Sequence, residues 1–314
     1  MTTPAQVPLV TPTPERNRRR ADQADQSVIS ATEWRRPSIR FGLGGAQLLL
    51  MISLVVAGLG PLLWLAKSAI TPTTDTLQDP MALFPHGTAW GNLTAAWSDV
   101  RVGRYFFNTV VLALGSWFAQ IIIATTAGHA LAILRPKYAK VLTSLVMATL
   151  FVPAVVLLVP LYIEIVHPPL INYSLINTYW AVWLPAGASA FNVVLVKRFF
   201  DNLPTEIFEA ARMDGAGAFR LFGSIVVPMS RPILGVVSVF AILASWKDFL
   251  WPLLVLNDPD QQPLSVRLPA ITPQTDLGVF LAALLIATVV PIAGFVLFQR
   301  QFLRGSGLGG ALKG

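Results

Sequence analysis

Side chains able to do chemistry are sparse in this sequence, and the few present favour binding over catalysis. Cysteine is absent, which removes disulfides, zinc-thiolate sites, Fe–S clusters and thiol nucleophiles. His86, His129 and His167 are far apart and show no metal-ligand spacing; His129 is read as core packing. Two features remain. Lys247 and Asp248 sit beside Trp246 inside an otherwise apolar run, where an ionisable group is expensive and therefore a functional candidate. Adjacent residues on a helix point about 100° apart, so the two need not pair with each other. Lys247 can hold an anionic or phosphorylated substrate, or neutralise a carboxylate on a partner helix. The second role is preferred, because this stretch lies near the outer surface. Trp180 and Trp183 can stack on sugar faces, although anchoring at a membrane interface is the preferred reading.

The other feature is a polar island between apolar runs, Glu209 to Pro228, EAARMDGAGAFRLFGSIVVP. Pro204 suits a first helical turn and Glu206 the positive helix end. The helix is expected to run through Met213, with Asp214 and then Gly215 supplying the left-handed residue that ends it. A second short helix follows, with Phe219, Phe222 and Val226 on one stripe, ending at Pro228. Ala210 and Ala211 give a flat surface, and Glu209 and Arg212 place charge three residues apart on one face. The product is two short helices joined by a sharp turn, suited to docking a partner.

The elements that position these residues follow from composition. The chain has 314 residues, of which 54% are hydrophobic and 12% charged, about half the charge usual in soluble domains. Its apolar runs reach the roughly 18–20 residues needed to cross a bilayer. Six spans are expected, near 41–65, 106–134, 141–166, 175–196, 233–256 and 277–298. Residues 1–40, with RNRRR at Arg16 to Arg20, lack apolar periodicity and are expected to be disordered. The first apolar run is too long for a signal-peptide core, so it is read as an uncleaved helix. Of the 23 Lys and Arg, 18 fall on the N-tail, the loops after spans two and four, and the C-tail. The positive-inside rule then places both termini and the Glu209 loop in the cytoplasm. Five of the six spans hold internal prolines: Pro61, Pro153 with Pro160, Pro185, Pro252 and Pro291. These are expected to bend their helices.

The order Glu-Ala-Ala, three residues, Gly215, nine residues, Ile225-x-Val227-Pro228 resembles the EAA loop of ABC importer permeases, with Val227 in a Leu position. The flanks SWKDFLWPLLVLNDPDQQPL and LINTYWAVWLPAGASAFNVVLVKRFFDNLP, with NTVVLALGSWFAQ, FVPAVVLLVPLY and the tail RGSGLGGALKG, are similar to MalG-type permeases of carbohydrate importers. Lys247 departs from that pattern, in which Asn is usual. The resemblance implies an all-α polytopic protein of the prokaryotic cell membrane. Its MetI-like bundle of six helices would occupy 41–300, with a coupling loop over 203–230, an extracytoplasmic loop over 257–276 and a C-tail over 301–314. Glu209, Ala210, Ala211, Arg212, Asp214 and Gly215 would dock an ATPase. Arg304 and Lys313 in the tail could also reach it, and Trp246, Lys247 and Asp248 are candidates for the substrate path. The implied partners are a second, MalF-like permease, two copies of an ABC ATPase, an extracellular binding protein or lipoprotein, and membrane lipid, but no nucleic acid. The sequence has no phosphate-loop motif, so this chain is expected to bind no cofactor and no metal, and ATP and Mg belong to the partner. An ion-coupled transporter would call for several buried carboxylates, and a membrane enzyme for clustered acidic groups or His; neither pattern is present.

Overall fold

The computed structural model describes residues 37–84, 86–169 and 172–305, and these contain helices and connections but no strand. The chain divides into two units, 1–64 and 65–314. Helix α1 (Pro37–Ala69) is apolar on all sides, with a mean hydropathy of 2.4 in its most apolar window, as suits a helix surrounded by lipid.

In the second unit two short helices, α2 (Thr73–Gln78) and α3 (Gly91–Ser98), precede the long helix α4 (Val102–Leu134). The 33 residues of α4 span about 50 Å, and its final turn, Ala130–Leu134, is a π turn. Then come α5 (Ala139–Thr149), α6 (Ala154–Val166), α7 (Trp180–Gly187) and α8 (Ala190–Asp201). The remainder is α9 (Thr205–Met213), α10 (Ala218–Met229), α11 (Arg231–Lys247), α12 (Leu250–Val255), α13 (Leu264–Ile271) and α14 (Leu277–Gly305).

Helix α4 is the axis on which α7, α8 and α11 pack. Small residues permit the approach. A methyl on Gly115 would strike the Trp183 indole of α7, and one on Gly128 would strike Val196 of α8. Close backbone approach is how helices gain contact in lipid, where burial alone gives little advantage.

Among the described residues three helices, α1, α4 and α14, are each long and apolar enough to cross a membrane; the number rises to six if each of three bent pairs is one span. The expected third, fourth and fifth spans are therefore broken rather than continuous. Helices α5 and α6 meet at 101°, where Pro153 is extended at ψ 131° and its ring removes a ladder donor. Helices α7 and α8 meet at 41°; the Ser189 hydroxyl accepts from the Asn192 amide at 3.4 Å and caps the restart,. Helices α10 and α11 meet at 76°. The expected span 233–256 stops at Lys247, because Asp248 turns extended (ψ 122°) before α12 begins. At the far end, α14 continues to Gly305, past residue 301 where the tail was expected to start.

Candidate coupling segment and intramembrane cavity

Helix α9 ends as its sequence dictates. Gly215 takes φ +78°, the Gly215 amide donates to the Arg212 carbonyl at 3.0 Å, and the Ala216 amide donates to the Ala211 carbonyl at 2.9 Å. These two bonds make a Schellman turn, which satisfies carbonyls the helix end would leave open. Phe208 and Ala211 point into an apolar cluster with Phe200, Leu131, Leu221 and Val226. That leaves Glu206, Ala210 and Met213 on the opposite, exposed face. Ala211 is thus part of the seat and not of the docking surface, a correction that follows from the 3.6-residue period.

Helix α10 differs more from its expected form. Residues Phe222–Val226 form a π turn, which adds a residue to the turn and rotates everything beyond it. Leu221 and Val226 are buried, whereas Phe219 is 95% exposed, so the expected Phe219–Phe222–Val226 stripe does not form. Pro228 does not end the helix. It falls at the start of a fresh α segment, Val227–Met229, where a missing N–H is tolerated. The outward surface of the segment therefore combines Glu206, Glu209 and Asp214 with Ala210, Met213 and Phe219. Beneath it lies a cleft of about 190 Å³ bordered by Arg135, Asp201, Phe208, Glu209 and Arg212. The cleft wall is tied together by Asp201, which pairs with Lys197 at 2.7 Å and with Arg135 at 3.8 Å. His129 sits above the π turn, its ring edge-on to Phe222 at 4.9 Å between centroids.

The second site is a cavity of about 750 Å³ between α4, α7, and the junction of α11 with α12. Ser116, Gln120, Ser189, Ser245, Lys247 and Asp248 supply its polar lining. Asn192 donates to the Gln120 side-chain oxygen at 2.6 Å, and Ser245 meets Ser116 at 3.4 Å. The structure divides the expected trio. Lys247 and Asp248 border the cavity, but Trp246 is buried between α4 and α14. Its ring stands edge-on to Phe106 and its N–H donates to the Ala287 carbonyl at 3.3 Å. Trp246 is consequently a packing residue. Trp183 is also packed, against Gly115 and edge-on to Trp180 at 5.1 Å. Ser116, Gln120, Asn192 and Ser245 are not picked out by ionisable or aromatic character, the two signals weighed in the sequence; the 116/120 spacing within an apolar span was the available signal. Arg304 belongs to the last turn of α14, and Lys313 lies outside the described residues.

Residues 122–305 match the family of binding-protein-dependent transport system inner membrane components. The chain belongs to that family. It is accordingly a non-catalytic permease subunit of an ABC importer, with a MetI-like fold. The permease is 29% identical over 268 residues to the diacetylchitobiose uptake system permease protein NgcG of Streptomyces coelicolor, spanning 83% of this chain and 86% of that one. It is also 29% identical over 271 residues to the sn-glycerol-3-phosphate transport system permease protein UgpE of Agrobacterium fabrum, spanning 83% and 94% respectively. Among solved structures, a chain of a bacterial ABC transporter involved in import of the acidic polysaccharide alginate superposes with a TM-score of 0.72. That match covers 85% of this chain and 98% of the other at 18% identity, a likeness of fold.

Proposed function

We propose that this permease forms one half of the translocation pathway for a carbohydrate or sugar-related solute and takes its driving force through α9. The solute would be delivered by an extracellular binding protein. The other half would come from a second, MalF-like permease, and ATP with Mg would be bound by two copies of a separate ATPase. The observation that carries this is the α9–α10 surface. It presents Ala210, Met213 and Phe219 to the outside, while Phe208 and Ala211 lock it to the ends of α4 and α8. An exposed apolar patch rimmed by charge marks a surface for another protein. The relatives' sugar and polyol-phosphate substrates support the solute class. The distribution of Lys and Arg supports a cytoplasmic position for α9 and both termini, with the α12–α13 loop outside. Residues 203–230 would be the coupling loop. Arg304 and Lys313 are further candidates for contact with the same partner under this reading.

The chain has no cysteine, so Ala210→Cys gives a single reactive thiol. Its crosslinking to a co-purifying ATPase, changing with nucleotide, is the expected result. Gly215 sharpens the test. A Cβ there meets no neighbour within 4 Å, so φ +78° is the only internal constraint. Gly215→Asn, which tolerates that conformation, should keep ATP-driven uptake. Gly215→Val should insert into the membrane but lose coupling, since a β-branched residue at positive φ costs about 1–2 kcal/mol or more. No co-purifying ATPase, or uptake driven by an ion gradient without ATP, would reject the proposal.

A further inference from the structure

The cavity contains a cation with no internal use. Lys247 borders it and is exposed there, and among the described residues Lys247 forms no ion pair. The nearest carboxylate in sequence, Asp248, is otherwise engaged. Its carboxyl lies beside the Trp251 backbone amide at the start of α12, and its backbone carbonyl accepts from the Ser265 hydroxyl at 2.6 Å. Asp248 therefore fixes the junction of α11, α12 and α13 and leaves Lys247 free. A lone ammonium in a membrane-spanning bundle is expensive unless something anionic meets it. Around it stand groups suited to a polyhydroxylated solute. Ser189 and Ser245 offer hydroxyls at the wall, with Ser116 fully buried behind Ser245 at 3.4 Å, and Gln120, whose oxygen is taken by Asn192, has its amide N–H groups left to donate.

We infer that Lys247 makes this cavity selective for an anionic sugar or polyol, one carrying a carboxylate or a phosphate, with Ser189, Ser245 and Gln120 meeting its hydroxyls. This rests on reading the cavity as the transport path. The expectation that Lys247 pairs with a carboxylate on another helix is replaced within this chain, because no such carboxylate faces it among the described residues. A carboxylate from the second permease is the remaining competitor, and it predicts different behaviour. A structural counter-ion is needed for assembly whatever the solute, whereas a selectivity lysine is needed only for charged cargo.

The test uses the whole importer, purified through this chain with its binding protein and placed in proteoliposomes. The binding protein is offered matched ligands differing in charge: glycerol 3-phosphate against glycerol, and an oligouronate against the neutral oligosaccharide of equal length. We expect retention of a charged member, and the phosphate and uronate arms identify which anion it carries. ATP-driven uptake of that ligand should fall at least tenfold in Lys247→Asn with the complex intact, through KM and kcat together. Lys247→Arg should stay within about threefold of the unaltered importer. Retention of neutral ligands alone overturns the inference, as does retention of none or unchanged uptake by Lys247→Asn. Dissociation of the complex in Lys247→Asn also overturns it, in favour of the counter-ion. Absence of any ATP-driven uptake by the unaltered importer instead rejects the function proposed above.

Discussion

At its Val102 end α4 meets a loop fastened by directional bonds, whereas at its Leu134 end it meets a segment fastened by apolar burial. Near Val102, the Asn108 amide donates to the carbonyls of Asp260 at 2.8 Å and Gln262 at 3.0 Å. The oxygen of the same Asn108 side chain accepts from the Tyr179 hydroxyl at 2.9 Å. Asn177, held at φ +60°, accepts the amides of Asn257 and Asp258 at 2.6 and 3.0 Å, and Thr109 accepts the Leu264 amide at 2.9 Å. Near Leu134, by contrast, α9 is seated by Phe208 and Ala211 among apolar side chains. Hydrogen bonds fix angle and register, while an apolar seat resists separation but tolerates sliding. The two joints therefore differ in kind: the one near Val102 resists shear and the one near Leu134 resists separation.

Removing one ring from the seat should have the largest effect. Phe208→Ala is expected to destabilise the α9 end by about 3 kcal/mol or more. Amide exchange in Thr205–Leu221 should quicken and uptake should fall, with protection of Leu264–Ile271 unchanged. Equal loosening of both ends would mean that the two joints are one cooperative unit and would dissolve the contrast.

Asn108→Ala tests the opposite joint. It strips partners from two carbonyls and one hydroxyl, each costing about 1–3 kcal/mol where water cannot replace it. Asn108 and Gln262 are buried while Asp260 and Tyr179 are only partly so, and the net is expected to be about 2–4 kcal/mol,. Exchange should quicken across Asn257–Ile271 and leave α9 untouched, and delivery by the binding protein should weaken more than coupling does. If α9 responds as strongly as the loop, Asn108 acts through α4 as a whole.

How much of this was legible depended on whether a feature is local. The helix over Thr205–Met213 and the turn at Gly215 follow from Pro204, Glu206 and Gly215 themselves, because capping is decided within a few residues. The packing direction of Phe219 was not legible, since a π turn downstream of Leu221 changes the phase and no residue type announces it. Trp246 and Lys247 were taken together as neighbours, yet the helix sends one into the α11–α14 contact and the other into the cavity. The loop 257–276 looked like a surface connection. Its fold depends on Asn108 and Asn177, which are about 80 to 150 positions away and meaningless until α4 and α7 are packed.

The smallest expected effect concerns Arg101, at the rim of the directional joint. Arg101 sits in the left-handed region at φ +62°, and its guanidinium pairs with Asp260 at 2.9 Å, both side chains being substantially exposed. An exposed pair of this kind is worth about 0–1 kcal/mol. The strained backbone costs a non-glycine residue about 1–2 kcal/mol, partly offset for glycine by its extra freedom when unfolded, about 0.5–1 kcal/mol. Arg101→Ala loses the pair and keeps the strain; Arg101→Gly loses the pair and relieves it. Gly should therefore rank above Ala in thermal stability and close to the unaltered chain, and the gap between the unaltered chain and Arg101→Ala should shrink in high salt. If Ala instead equals or exceeds Gly, the left-handed residue is not what holds the start of α4, and Asn108, Thr109 and Asn177 carry that end of the comparison.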